Sequence, residues 1–148
     1  MEPEVGRDVR TDAESVWEVL ADGWAYPLWV VGATHMRDVD DDWPAIGSQL
    51  HHSVGVWPLQ LDDHTEVVDV DPGRRLVLRA RAWVAGGAHV HLSIEPRGAG
   101  ACHVRLREVA TEGIGRFVPG WVQAPAIAPR NVETLSRLAD VAEHRRRS

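Results

Sequence analysis

The chain has 148 residues, which suits a single domain spanning 1–148, because one hydrophobic core commonly serves roughly 100–200 residues. Its formal charge is −6, with 16 Arg and no Lys, and that acidic balance excludes non-specific nucleic-acid binding, which needs a basic face. The one cysteine, Cys102, excludes an intrachain disulfide, and no stretch approaches the ~20 apolar residues of a membrane span.

Taken in chain order, Val5–Arg10 reads as a short first strand. Thr11-x-x-Glu14 has the form of a capping box, in which the hydroxyl and the carboxylate each take a free backbone N–H, so a helix is expected to open at Thr11. Ala13, Val16, Trp17 and Leu20 then follow at helical spacing as its inward stripe. Asp22-Gly23 ends this helix and can cap a second, shorter one. Pro27 denies that one a long run, so Trp24–Val31 should form broken helical turns.

From Ala33 the period changes to two. Thr34–Asp40, Gln49–Val56, Leu59–Val70, Arg75–Trp83, Ala88–Glu95 and Ala101–Val109 read as strands, with Asp71-Pro72-Gly73 as a turn and Gly86-Gly87 as a break. On one face lie Leu50, His52 and Val54, then Leu76 and Leu78, then Val90, Leu92 and Ile94, then Cys102, Val104 and Leu106. The opposite face carries Arg75, Arg79, Arg81, His103, Arg105 and Arg107. This alternation describes an antiparallel sheet with one dry and one wet face. Parity also constrains the hairpin near Arg97–Gly100: setting Ile94 beside Val104 or Cys102 needs an odd loop, of about three or five residues. Thr111–Gly120 is Gly-rich and expected to be mobile. The final helix shows Val132, Leu135, Leu138 and Ala142 as its inward stripe. Pro125 and Pro129 predict a short turn near Trp121, a break, and a main helix starting near Pro129. Arg145-Arg146-Arg147 reads as a solvated helix end. The fold class is therefore α+β.

Several segments resemble the START-like, helix-grip (SRPBCC) superfamily, in its polyketide cyclase/dehydrase-like branch. They are Val16–Gly23, Trp29-Val30-Val31-Gly32, Trp43-Pro44-x-x-Gly47-Ser48, Val70–Leu78 and Arg130-Asn131. These are marks of architecture and span nearly the whole chain. The resemblance implies a curved antiparallel sheet of about six or seven strands wrapped around a long C-terminal helix, with two short helices after the first strand. It also implies an apolar cavity between sheet and helix for a lipid- or polyketide-like molecule.

Seven Trp stand against one Phe and one Tyr, and Trp serves equally in a core or in the wall of an apolar pocket. The expected wall is Trp29, Leu50, Val54, Leu78, Val90, Leu92, Val104, Leu106, Trp121 and Leu135, with Trp57 and Trp83 at the rim. Four polar positions share the dry face: His52, Asp63, Thr65 and Glu108. A desolvated imidazole or carboxyl there has a shifted pKa and can act as acid or base on an enolisable ketone, which makes His52 and Glu108 the candidate catalytic residues. His51-His52, His89-x-His91 and His103 are dense. However, His89, His91 and His103 share the outer face with arginines, whose charge repels a cation, so neither a metal nor any other cofactor is expected. Cys102 points inward as a core thiol. Three functions follow: a binding protein for a small hydrophobic molecule, a cyclase or dehydratase built on the polar positions, and an interaction module using the outer Arg/His face. The chain is expected to be a monomer or homodimer. With no apolar leader after Met1-Glu2-Pro3-Glu4 and a lone thiol, it is expected in the cytoplasm.

Overall fold

The computed structural model describes residues 4–31, 33–54, 61–82, 86–110 and 120–147. Within them it leaves aside the side chains of 33–35, 53–54, 61–63, 81–82, 86, 110, 120–128 and 146–147. The elements run β1 (Glu4–Val9), α1 (Ala13–Ala21), a 3-10 turn (Gly23–Ala25), α2 (Tyr26–Trp29), β2 (Ala33–Val39), β3 (Gln49–Val54), β4 (Leu61–Asp71), β5 (Arg75–Ala82), β6 (Gly86–Pro96), β7 (Cys102–Ala110) and α3 (Gly120–Arg147). The seven strands form one curved, unclosed antiparallel sheet in the order β1-β7-β6-β5-β4-β3-β2. This is the helix-grip arrangement.

The alternation of the strands fixes their register. Ile94 pairs with Val104 and Pro96 with Cys102, which leaves a five-residue loop, Arg97–Ala101, closed by the Arg97 N–H donating to Ala101 O at 3.0 Å. An odd loop keeps Leu92, Ile94, Val104 and Leu106 on one buried face. In β4 the pairing shifts between Val67 and Asp69, a bulge that absorbs the adjacent valines and lets Thr65, Val67 and Val70 all reach the core side. Val77 is also buried, although it lies on the face of Arg75 and Arg79.

Four local expectations are corrected. The α1 N-cap is Asp12 rather than Thr11, and its carboxylate accepts the Ser15 N–H at 2.8 Å, so Glu14 falls at N2, one position short of the N3 place a capping box needs. Thr11 is instead buried, and its hydroxyl has no hydrogen-bond partner among the described residues. Gly86 and Gly87 do not break the sheet but begin β6, paired with Ala82 and Arg81, because ladder bonding needs only backbone groups. The prolines do not split the last helix, and α3 is one element of 28 residues. Each proline removes a single i→i−4 bond, and the bonds on either side carry the helix past it. Finally, Val132 is 52% exposed, and the inward stripe of α3 runs through Asn131, Thr134, Leu135, Leu138, Ala139 and Ala142, about 100° per residue in register.

The core joins the inner sheet face to three helices: Val9, Leu76, Leu92, Ile94, Cys102, Val104 and Leu106 below, and Val16, Val19 and Leu20 of α1, Tyr26 and Trp29 of α2, and Leu135, Leu138 and Ala142 of α3 above. Asp22 serves two caps, ending α1 and accepting the Trp24 N–H that opens the 3-10 turn. Gly23 is required there, since a Cβ would sit 2.5 Å from Leu50 Cδ2 and 2.7 Å from Val39 Cγ1. The Trp43 indole ties the β2–β3 connection to α1 by donating to Leu20 O at 3.2 Å. The Leu59–Gln60 start expected for β4, the 55–56 end of β3, Trp57, Trp83 and the segment 111–119 lie outside the described residues. Among the described residues no helix is long and apolar enough to cross a membrane.

Candidate functional site

Two polar clusters interrupt the apolar inner layer. The first begins with β3 and β4, where Leu50 stands opposite Thr65 and His52 opposite Asp63. Alternation turns both His52 and Thr65 inward, and both are buried. His52 Nε2 lies 2.8 Å from Thr65 Oγ1, and the Tyr26 hydroxyl lies 3.3 Å from the same oxygen. A hydroxyl offers one donor and two acceptor positions, so Thr65 can link phenol and imidazole in one chain. Tyr26 reaches this point because α2 lays its aromatic side chains over β3. Its ring stacks on His52 at 5.3 Å between centroids and 29° between planes, and meets Trp29 edge-on at 5.3 Å and 72°.

The second cluster lies under the N-terminal half of α3. Glu108 continues the inward face of Val104 and Leu106, and both of its carboxylate oxygens accept from Arg130 Nη2 at 2.6 Å. Burial raises the Glu108 pKa above the usual carboxylate value, and the Arg130 charge and hydrogen bond oppose that rise. One residue on, Asn131 is buried; one turn on, Thr134 accepts the Val31 N–H at 3.4 Å and so joins α3 to the end of α2. The Asn131 amide nitrogen and the Trp29 indole nitrogen are both buried, and neither finds an acceptor among the described residues. Both are donors, and an unsatisfied buried donor costs about 1–3 kcal/mol.

The clusters are distinct. Three strands separate β3 from β7, and the two groups have different partners, His52 bonding Thr65 and Glu108 bonding Arg130. Of the expected wall residues, Trp29, Leu50, Leu78, Leu92, Val104, Leu106 and Leu135 are buried in the main core and Val90 packs partly buried against it. The side chains of Val54, Asp63 and Trp121, like Trp57 and Trp83 entirely, lie outside the described residues. Tyr26, Asn131 and Thr134 were missed as site residues. Asn131 and Thr134 share the helical period of Leu135 and Leu138, and that spacing was the available signal. Cys102 is buried, and desolvation with the nearby Asp12 and Glu143 charges pushes its thiol up to about 11, so it stays protonated at neutral pH. His89 and His91 have ring centroids 6.4 Å apart, and among the described residues no group of three or more His, Cys, Asp or Glu is placed to hold a metal ion.

A family profile described as polyketide cyclase / dehydrase and lipid transport matches residues 4–143. No curated protein matches the chain. Among solved structures, a protein from Nitrosomonas europaea, NE0264, has a TM-score of 0.74 at 11% identity, covering 100% of this chain and 97% of its own. The di-domain ARO/CYC BexL from the BE-7585A biosynthetic pathway has a TM-score of 0.73 at 17% identity, covering 97% of this chain and 46% of its own. DynU16, from the dynemicin biosynthetic locus, has a TM-score of 0.65 at 23% identity, covering 95% of this chain and 46% of its own. At these identities the likeness is one of fold, and this chain spans about half the length of the latter two.

Proposed function

Since the chain belongs to the polyketide cyclase/dehydrase and lipid transport family, we propose that it binds a small, largely apolar molecule between the inner sheet face and the N-terminal half of α3. The observation that carries this reading is the pair of buried donors, Trp29 Nε1 and Asn131 Nδ2, which find no acceptor among the described residues. A pocket of this kind gains affinity from apolar burial and orientation from a few placed polar groups. Leu50, Leu78, Val90 and Leu106 supply the apolar floor in this reading. Native mass spectrometry of the protein purified from its own host, with thermal-shift titration of lipids and aromatic polyketides, tests it. A bound adduct or a saturable rise in melting temperature is expected. Neither appearing across the panel contradicts the reading.

The chain of hydrogen bonds from Tyr26 through Thr65 to His52 favours a second reading, cyclisation or dehydration of a ketone. His52 would take the proton α to a carbonyl and return it to a departing hydroxyl, with Thr65 holding the imidazole in place. Binding of the chain in a folded conformation would supply much of the rate by proximity. In that case His52→Ala abolishes turnover of a polyketide substrate while leaving its affinity within a few-fold, whereas full activity in that variant removes the reading.

A further inference from the structure

The inner face of the sheet is solid at one end and open at the other. Leu76, Leu92 and Leu106 pair across β5, β6 and β7 and are fully buried, and Ile94 and Val104, one row nearer the β6–β7 hairpin, are buried as well. One row the other way, Leu78, Val90 and Glu108 pair in the same order, and Val90 is only partly buried. The next row falls to alanine: Ala80 pairs with Ala88, and Ala88 with Ala110. Ala88 is buried, but Ala80, on the inward face of Leu76 and Leu78, is partly exposed. Inward positions of a central strand pack on the core. Exposure at Ala80 and Val90 therefore marks a hollow above β5 and β6.

Polar groups wall this hollow on two sides. Glu66 pairs with Arg79, which brings Thr65, with its bonds to His52 and Tyr26, alongside Ala80. On the other side Glu108 stands opposite Val90 and is bonded to Arg130. α3 follows β7: Glu143 meets Arg10 beside the Val9–Cys102 pair, and Arg130 meets Glu108. The inward residue next to Arg130, Asn131, is thereby carried over the Val90–Glu108 row. Asn131 is 4% exposed, and its amide nitrogen finds no acceptor among the described residues. Small side chains alone would only thin the core; a buried donor over the thinned place indicates a group that enters it.

The geometry points to a compact, rigid guest, a fused-ring ketone rather than a long-chain lipid, with Ala80 as the residue that sets its size. This rests on the apolar pocket proposed above. The hollow is walled by polar clusters on two sides and closed by the Leu76–Leu92–Leu106 row on a third, so an extended acyl chain has no apolar path along the strands. A flat ring system lies over Ala80 and Val90 with its carbonyl toward Asn131. A larger side chain at position 80 occupies the place of the ring, because a packed layer has no room for both.

Intrinsic-fluorescence titration of the full-length protein tests it, with anthrone as the fused-ring ketone and oleate as the long-chain probe. Anthrone is expected to saturate with at least tenfold higher affinity than oleate. Ala80→Leu should weaken anthrone at least tenfold, and Ala80→Val, a smaller intrusion that serves if the leucine variant does not fold, should weaken it several-fold. Val90→Ala, which widens the hollow, should keep anthrone affinity within a few-fold. Oleate binding as tightly as anthrone, or unchanged anthrone affinity in the folded position-80 variants, would overturn the inference while the apolar pocket stands. Binding of neither probe would overturn it too, and would leave the pocket to its own wider panel of ligands.

Discussion

The seam between α3 and the sheet changes character along a single helix. From Leu135 to Ala142 the inward positions are Leu135, Leu138, Ala139 and Ala142, all buried and apolar, packed on α1 and β1. One turn earlier the inward positions are Asn131 and Thr134, beside the Arg130–Glu108 pair, and the Trp29 indole, two residues before the Val31–Thr134 bond, finds no acceptor among the described residues. The helix, its period and the sheet beneath are continuous, so nothing in the backbone demands the change. A seam selected for stability alone would be apolar throughout, because buried donors without partners are unfavourable. The contrast separates a half that holds the fold from a half where the Trp29 and Asn131 donors find no acceptor among the described residues, the groups the proposed ligand would meet.

Substitutions sharpen that contrast. The largest effect is expected from Leu138→Ala in the dry half, a loss of about 2–5 kcal/mol in chemical denaturation, because the side chain is fully buried and a cavity remains. A loss below about 1 kcal/mol would mean the dry half does not carry the core. Thr65→Val keeps shape but removes the hydroxyl between Tyr26 and His52, and should cost about 1–3 kcal/mol in the same assay. Asn131→Leu should have the opposite sign, a gain of about 1 kcal/mol, while weakening binding of a carbonyl-bearing ligand several-fold. A destabilised Asn131→Leu protein would show that the amide is satisfied after all and would blur the two halves.

The smallest effect concerns pH. Burial raises the Glu108 pKa in the folded state, so folding favours its protonated form. Its contribution to stability is therefore fully present below the ordinary carboxylate pKa and is lost as pH rises through the raised folded value. Melting curves of the wild type relative to Glu108→Gln should show the wild type gaining as pH falls through the acid range. A relative loss on acidification would mean that the Arg130 pair, not burial, dominates.

Much of this was legible from period and parity. The odd length of the hairpin loop near Arg97–Gly100 followed from the demand that Ile94 and Val104 share a face, and the inward polar positions His52, Thr65 and Glu108 followed from alternation. Legibility ended where two patterns competed. On α3 the apolar Val132 drew the stripe one position off, although polar Asn131 holds the inward place. Pro125 and Pro129 signalled a break that a long helix can absorb. Thr11 and Asp12 are adjacent cap residues of similar quality, and only the direction of the chain leaving β1 decides between them. Arg130's partnership with Glu108 joins residues distant in sequence, and no local pattern encodes it.

The central claim is that the polar half of the α3 seam receives the ligand. It is tested most directly by NMR titration of the isotopically labelled protein with anthrone, an aromatic ketone, following the Trp29 indole N–H and the Asn131 side-chain amide, with Trp29→Phe assigning the former. The expected result is a saturable downfield shift of both signals as they gain an acceptor, while the Leu138 and Ala142 methyls stay in place. Saturable binding that leaves both donor signals unmoved, or that shifts the Leu138 and Ala142 methyls instead, would contradict the account.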